Sequence, residues 1–252
     1  MEAHHPHHVT HKKNFKEYFL EFLMIFLAVT MGFFAESLRE RLTNNEKESA
    51  YMSSILQDLK QDTADITETI AFQTVILKEM DSALQIPVEK LTDINVQDTF
   101  YHHFVFFYSW ISSFSRNDNT ITQLKNAGGF NVIHKTAVID SINALDAYYY
   151  GKVLLNKNFY ETRWQRLDEF AMQMMILPSP PVDINDPVYT VVPYNKEMFT
   201  RYDRYLLQQL YSFIRFEKSD IEVNVYGEQE YRDKAARLTD FIKNEYRLQA
   251  QD

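Results

Sequence analysis

The residues of this chain that are best suited to bind a metal ion lie near its N-terminus. Neutral imidazole is a good ligand for Zn²⁺, Ni²⁺ and Cu²⁺, and five imidazoles fall within a short stretch. The candidate ligands are His4, His5, His7, His8 and His11. Pro6 interrupts the cluster and disfavours a helix that would align the rings, so we predict a weakly cationic tip without a defined metal site.

The remaining polar residues match no familiar catalytic pattern. His102, His103 and His134 lack the carboxylate spacing of a metal hydrolase, and the Glu-x-x-His pattern of di-iron bundles is absent. The chain has no cysteine, which excludes disulfides, thiolate metal sites and cysteine nucleophiles. The adjacent Gly128 and Gly129 have no phosphate-loop spacing. We therefore predict no catalytic residue and no cofactor.

One turn carries polar side chains that could recognise a partner. Its residues are Arg116, Asn117, Asp118 and Asn119. Loop side chains perform binding functions more often than side chains on packed faces do, which makes this turn the candidate recognition site. The same residue types also cap helices, so helix capping is an equally good interpretation.

Composition limits the class of protein further. The net charge of −9 argues against a nucleic-acid partner, because nucleic acids bind to basic surfaces. Only 5 glycines and 7 prolines occur among 252 residues, which favours helices. With 16 Tyr and 19 Phe, the core is expected to be rich in aromatic rings.

An apolar run near the N-terminus decides where the protein is located. The chain carries no charge from Phe22 to Ala35, and Glu21 lies near one end of the run. About 20 helical residues cross the ~30 Å core of a bilayer, so residues 18–37 are predicted to form a transmembrane anchor after a cytoplasmic tip, residues 1–17. The predicted bilayer-facing residues are Phe19, Phe22, Leu23, Ile25, Phe26, Leu27, Val29, Phe33 and Phe34.

Two other interpretations of this run are disfavoured. A cleaved signal peptide needs a small-residue cleavage site, and the run continues into Glu36 without one. A buried core helix is disfavoured because the run is apolar on every face, with six apolar residues in succession from Phe22 to Leu27. Lys and Arg are balanced on the two sides of the run, but large domains cross membranes largely regardless of charge. We therefore expect a single-pass protein of a bacterial inner membrane, with residues 38–252 in the periplasm.

The residues after the anchor repeat at heptad spacing. Apolar side chains at steps of three and four residues run from Met52 to Leu84, and they predict one long stalk helix that continues from the anchor and ends before Pro87. Such a stripe favours a coiled coil or a bundle. The candidate oligomer face consists of Leu38, Leu42, Met52, Leu56 and Leu59, and its expected partner is a second copy or another membrane protein.

Further helices are predicted along the rest of the chain. One begins at Asn95, a short one covers Thr120 to Ala127 before Gly128, and a long one covers Lys135 to Leu177, with Gly151 as a local weak point inside it. A Pro-rich loop, residues 178–194, precedes a last helical region from Asn195 to Leu248 with a break near residue 225. The predicted fold is all-α: a transmembrane helix that continues into a stalk helix, followed by an antiparallel helical bundle within residues 38–252.

Three stretches resemble one family of proteins. KNFKEYFLEFLMIFLAV, NDNTITQLKNAGGFNVIHKTAVIDSINALDAYY and DKAARLTDFIKNEYRL occur in this order and resemble uncharacterised single-pass membrane proteins of Bacteroidetes-type bacteria. The resemblance implies inner-membrane attachment and a helical domain, and it brings no catalytic residues. The chain departs from the family pattern in its His-rich tip and in a span that lacks a Gly-rich, Trp-terminated end.

The sequence thus predicts a membrane-anchored helical module with an interaction, scaffold or sensor-like role and no enzymatic activity. The bilayer and a second copy or another membrane protein are its expected partners. The alternative is a membrane-bound enzyme with an unfamiliar helical site, which would need clustered titratable groups in a concave pocket.

Overall fold

The computed structural model describes residues 14–110, 112–126, 128–176, 198–200 and 202–248. These residues are helical apart from turns, short connections and one isolated bridge between Met175 and Phe199, which confirms the all-α class. The helices are α1 (Phe15–Leu84), α2 (Ile94–Tyr108), α3 (Asn119–Asn126), α4 (Thr136–Tyr148), α5 (Leu155–Ala171) and α6 (Arg204–Tyr246). The chain divides into two units, Met1–Ala50 and Tyr51–Asp252, and α1 contributes residues to both.

The first unit contains the apolar part of α1. This is one helix long and apolar enough to span a membrane, and its apolar window is not buried by any described part of the protein. Among the nine predicted bilayer-facing residues, Leu23 is half-buried and the other eight are exposed. Thr30 donates its hydroxyl to the Phe26 carbonyl oxygen at 2.7 Å, so the hydroxyl of this run is satisfied within the helix.

The second unit is an antiparallel bundle of four legs. The first leg is residues 51–84 of α1, the second is α2 to α3, the third is α4 to α5, and the fourth is α6. Direct contacts fix the direction of the fourth leg against the first: Tyr211 donates to the Ile86 carbonyl oxygen at 2.7 Å, and Tyr231 donates to Asp62 at 3.0 Å. Residues late in α1 therefore meet residues early in α6, which is an up-and-down arrangement.

Two apolar cores fill the bundle. The first core contains Met80, Phe100, Phe104, Trp164 and Tyr211, and the Phe100 and Tyr211 rings stack with centroids 5.4 Å apart. The second core contains Ile55, Leu59, Ile142, Tyr231 and Leu238. Both cores are rich in aromatic rings, and offset or tilted ring pairs of this kind add to the stabilisation that burial provides.

Several predicted boundaries move, each for a local reason. Helix α1 ends at Leu84, because Pro87 adopts an extended conformation and disfavours helix in the residue before it. Helix α2 begins at Ile94, one residue earlier than predicted, because Asp93 accepts a hydrogen bond from the Asn95 amide at 2.9 Å. The Pro-rich loop, residues 178–194, lies outside the described residues.

Two predictions for the long helices are wrong. The region predicted as one helix from Lys135 to Leu177 contains α4, a π-helical segment (Tyr149–Leu154) and α5, and the last of these ends at Ala171. Helix α6 has no break near residue 225. The alternation from Ile221 to Val225 suggested a break, but Ile221 and Asn224 are both buried at helical spacing and share one face.

The glycine pair has two separate structural roles. Gly128 has a φ of 64°, a left-handed conformation that closes the short helix α3. Gly129 packs against α3: a Cβ atom there would lie 2.7 Å from Leu124 Cδ2 and 3.2 Å from Leu124 Cα. By contrast, a Cβ atom at Gly151 in the π-helical segment would meet nothing within 4 Å.

These contacts predict different effects for two matched substitutions. We expect Gly129→Ala to lower the free energy of unfolding by about 1–3 kcal/mol, because the added methyl group is forced against α3. We expect Gly151→Ala to leave it unchanged or to raise it by up to about 1 kcal/mol, because the site is open. Urea unfolding of the detergent-solubilised chain, followed by circular dichroism, measures both. Equal losses in the two variants would contradict this packing.

Candidate functional site

The second leg of the bundle is not a continuous helix. Between α2 and α3 the described residues, 109–110 and 112–118, lie outside the helices, and this stretch is called segment 109–118 below. The sequence here, SWISSFSRND, contains four serines, and serine favours a helix less than most residues because its hydroxyl can bond the local backbone instead. Phe114 and Arg116 are buried whereas Ser115 is exposed, as in an extended chain. An extended stretch thus lies inside a helical bundle.

Buried side chains from the first and fourth legs bond the backbone of this segment. Gln73 donates its Nε2 to the Ser112 carbonyl oxygen at 2.9 Å, and Glu228 Oε1 accepts from the Phe114 amide at 3.3 Å. Gln73 Nε2 and Glu228 Oε1 are also 3.3 Å apart. Backbone groups without a helical partner must be bonded elsewhere when they are buried, and these two side chains provide the bonds.

The end of the segment is bonded in the same way by two aspartates of α1. Asp62 Oδ1 accepts from the Asn117 amide at 2.7 Å, and Asp58 Oδ2 accepts from the Thr120 amide at 3.3 Å. Asp58 therefore caps α3 from another helix. Burial raises the pKa of Asp62 to about 6, while the bonds from Asn117 and Tyr231 and the charge of Arg116 act in the opposite direction.

Arg116 is the centre of a cluster of charged and aromatic side chains, called the Arg116 cluster below. Its Nη2 lies 2.5 Å from Asp146 Oδ1, and Lys125 Nζ lies 2.6 Å from Asp146 Oδ2. The guanidinium carbon is 4.5 Å from the centroid of the Tyr149 ring and 5.0 Å from that of Tyr150. Burial works to raise the pKa of Asp146, but the bonds from Lys125 and Arg116 outweigh it and the pKa is lowered.

The third leg is irregular where it meets this cluster. Tyr149 and Tyr150 are the first residues of the π-helical segment, and the Tyr149 hydroxyl accepts a hydrogen bond from the Arg116 amide at 3.4 Å. Single π-helical turns are frequent at functional sites. The interrupted second leg and the π-helical third leg therefore meet the first and fourth legs, which carry buried carboxyl groups. We call this region the polar layer and take it as the candidate functional site; it contains Asp62, Gln73, Arg116, Asp146 and Glu228.

A further buried carboxyl group lies on the same face of α6. Glu217 is 1% exposed, and its Oε2 has no hydrogen-bond partner among the described residues. Burial raises the pKa of Glu217 to about 8, the charge of Asp220 raises it further, and Arg163 opposes both. Among the described residues Glu217 has no hydrogen bond to segment 109–118, whereas Glu228 accepts one from the Phe114 amide.

The predicted recognition turn is not an exposed turn. Arg116 is buried at 8% exposure, Asn117 and Asp118 are half-buried, and Asn119 alone among the four is exposed. Asn117 Oδ1 accepts from the Asn119 amide at 3.3 Å, so helix capping is the better interpretation for this residue. The polarity of the turn is directed at the interior, because Arg116 is paired there with Asp146.

The predicted oligomer face is divided by the structure. Met52 and Leu59 are buried in the second core and Leu56 packs against it, so these three residues pack within one copy of the chain. Leu38 and Leu42 are exposed. Heptad spacing does not distinguish a seam between copies from a seam within a bundle, and here the second case holds for residues 52–59.

The histidines form no metal site in the described part of the chain. His4, His5, His7, His8 and His11 lie outside the described residues. His103 Nδ1 is 2.6 Å from Glu79 Oε2, which joins α2 to α1. No group of three or more metal-binding side chains occurs among the residues that the structure describes.

The sequence analysis missed Asp62, Glu217 and Glu228. The pattern of α6 nevertheless contains a signal for the last two. On α6 the buried positions Ile214, Glu217, Ile221, Asn224, Glu228 and Tyr231 follow steps of three and four residues. Acidic residues on an otherwise apolar stripe of this kind are candidates for buried carboxyl groups. Gln73 stands in the predicted stripe of α1, but the sequence does not say what it meets.

No family model, curated protein or solved structure matches this chain. The resemblance to the Bacteroidetes-type family therefore stays a prediction.

The Arg116 cluster predicts a large effect of one substitution. We expect Arg116→Ala to lower the free energy of unfolding by about 3–5 kcal/mol, because it removes one member of a buried ion pair and leaves the Asp146 carboxylate with Lys125 alone of its two cationic partners. Arg204→Ala is the control, since the Arg204–Glu89 pair is exposed and such pairs contribute about 0–1 kcal/mol. Urea unfolding measures both variants. A loss for Arg116→Ala no larger than that of the control would contradict a structural role for the cluster.

Proposed function

We propose that this chain is a single-pass, membrane-anchored helical module that works by interaction or sensing and not by catalysis. The observation that carries the proposal is the apolar part of α1, which exposes Phe and Leu side chains around the helix, with side chains such as Phe26 and Phe33 more than half exposed. An exposed apolar surface of this length is unfavourable in water and favourable in a bilayer.

The proposed location is a bacterial inner membrane with the bundle in the periplasm. The absence of cysteine is compatible with this compartment, and the acidic balance supports a partner other than nucleic acid. The proposed partners are the bilayer and either a second copy or another membrane protein. Leu38 and Leu42 remain available for such contacts because they are exposed, whereas Met52 and Leu59 are not.

The polar layer supports a sensor-like role. It joins all four legs through groups that can change protonation, and two of its carboxyl groups, Asp62 and Glu228, have raised pKa values. A change in these groups alters contacts between several helices at once, which is what a bundle needs to pass on a signal.

A membrane-bound enzyme is the second candidate, and the same raised pKa values favour it. Against it, the carboxyl groups of Glu217 and Glu228 are buried. A groove of about 390 Å³ between α4 and α6 is lined mainly by apolar side chains and contains none of these carboxyl groups. A substrate could reach the polar layer only after the bundle opened.

Extraction tests the anchor. We expect the full chain to stay in the membrane pellet after alkaline carbonate and to be released by detergent. The double variant Phe26→Arg, Val29→Arg should move to the soluble fraction or be degraded, because each charge near the centre of a span costs about 2.5–3.5 kcal/mol. Leu42→Arg, outside residues 18–37, is the control. Release of the unsubstituted chain by carbonate would exclude a transmembrane anchor.

Fusion reporters test the orientation. We expect alkaline phosphatase fused after residue 252 to be active, because this reporter folds only outside the cytoplasm. A fluorescent protein that folds only in the cytoplasm should stay dark at the same position and fluoresce when it is fused before residue 1. The opposite pattern would place the bundle in the cytoplasm while leaving the anchor intact.

A further inference from the structure

Gln73 of α1 and Glu228 of α6 lie within hydrogen-bond distance of each other, and each also bonds the backbone of segment 109–118. The two side chains are 1% and 3% exposed. One Gln73 N–H reaches the Ser112 carbonyl oxygen, and Gln73 Nε2 is also 3.3 Å from Glu228 Oε1. Glu228 Oε1 in turn accepts from the Phe114 amide. Removal of either side chain thus leaves groups of the segment without a partner.

Two oxygen atoms of this pair lack a donor. Gln73 Oε1 and Glu228 Oε2 are buried, and neither has a hydrogen-bond partner in the described part of the chain. Buried polar atoms in native proteins are nearly always bonded, so the two together need an explanation. If Glu228 is ionised, both atoms are acceptors and cannot bond to each other. A proton on Glu228 Oε2 would change it into a donor, and a single O–H···O bond to Gln73 Oε1 would then satisfy both atoms.

The groups around Glu228 are compatible with a bound proton. The third leg contributes Lys157 and Tyr160 as its titratable neighbours, α1 contributes the neutral Gln73, and segment 109–118 contributes a backbone N–H. Lys157 also bonds to Ser115 Oγ at 2.7 Å. Burial raises the pKa of Glu228 to about 7, with the bonds from Phe114 and Gln73 and the charge of Lys157 acting in the opposite direction.

We propose that Glu228 binds a proton in the folded bundle and forms a two-bond amide–carboxylic acid pair with Gln73, and that this pair is a pH-sensitive latch on segment 109–118. In the latched state Gln73 Nε2 donates to Glu228 Oε1, and Glu228 Oε2–H donates to Gln73 Oε1. Loss of the proton removes the second bond and leaves two buried acceptors, Gln73 Oε1 and Glu228 Oε2, without a donor. The inference concerns the bundle and does not rest on membrane attachment.

The direction of the pH dependence follows from the raised pKa. The folded state keeps the Glu228 proton up to about pH 7, whereas an exposed glutamate loses it near 4.5. The folded state therefore binds more protons than the open state between these two values. The stability that the pair contributes is fully present below pH 4.5, the ordinary pKa of glutamate, and is lost as the pH rises towards 7. The latch is closed in acid and open in alkali.

Hydrogen exchange of the full chain in detergent tests the latch. We compare the amides of segment 109–118 at about pH 5 and about pH 9 and correct each rate for the intrinsic pH dependence of exchange. The expected result is a fall in protection of at least about tenfold at the higher pH. Equal protection at the two pH values would overturn the proposal.

Two glutamine variants make the test specific. In Glu228→Gln, an amide N–H replaces the carboxylic acid O–H, so the Phe114 amide, which this side chain bonds, should be protected equally at both pH values. The Asn117 amide keeps its own pH dependence, because it is bonded by Asp62. In Glu217→Gln, the same chemical change removes another buried carboxyl group of α6, with a pKa of about 8, that is not bonded to the segment. This control should keep the pH difference of the unsubstituted chain. A pH difference that persists at the Phe114 amide in Glu228→Gln would overturn the proposal.

Direct titration covers the case in which Glu228→Gln does not fold. The side-chain carboxyl ¹³C signal of Glu228 in the unsubstituted chain should titrate near pH 7. Titration near the ordinary value of 4.5 would overturn the proposal, and a buried water molecule that bridges the two oxygens would then account for them.

Discussion

The structure of the bundle depends on one requirement: every buried backbone N–H and C=O group must have a hydrogen-bond partner. Three legs meet it within their own helices. The second leg does not, because segment 109–118 leaves the helical conformation between α2 and α3. Its partners therefore have to come from side chains on other legs, and this explains why Gln73, Asp62 and Glu228 are buried in positions where apolar residues would otherwise be expected.

The same requirement connects structure to chemistry. A carboxyl group that bonds a buried backbone amide is itself removed from water, and burial raises its pKa towards neutrality, as for Asp62 and Glu228. The polar layer is therefore a structural necessity and a set of titratable groups at the same time. Perturbed pKa values alone do not identify an active site, since structural networks produce them too. Here the geometry gives each of these two groups a partner in the backbone.

The sequence predicts the helices well and their interactions poorly. Heptad spacing identifies α1, and the Asn and Asp residues before α3 identify its start, because both signals are local. The interruption at residues 109–118 contains neither proline nor glycine, so no local signal requires it. The π-helical segment is similar: Gly151 lies within it, but the sequence does not show that Tyr149, at its start, meets Arg116 of the second leg. Interactions between distant residues decide these two features, and one sequence does not reveal them.

The distance along the chain between the partners of segment 109–118 has a consequence for folding. Gln73 and Glu228 are 155 residues apart, and Asp62 and Tyr231 are 169 apart. The short helix α3 has 8 residues, too few for a stable helix in isolation. The centre of the second leg can therefore become ordered only after α6 has been synthesised and has docked. Contacts of such long range slow folding, and until they form, the backbone of the segment stays open to proteases and to association with other chains.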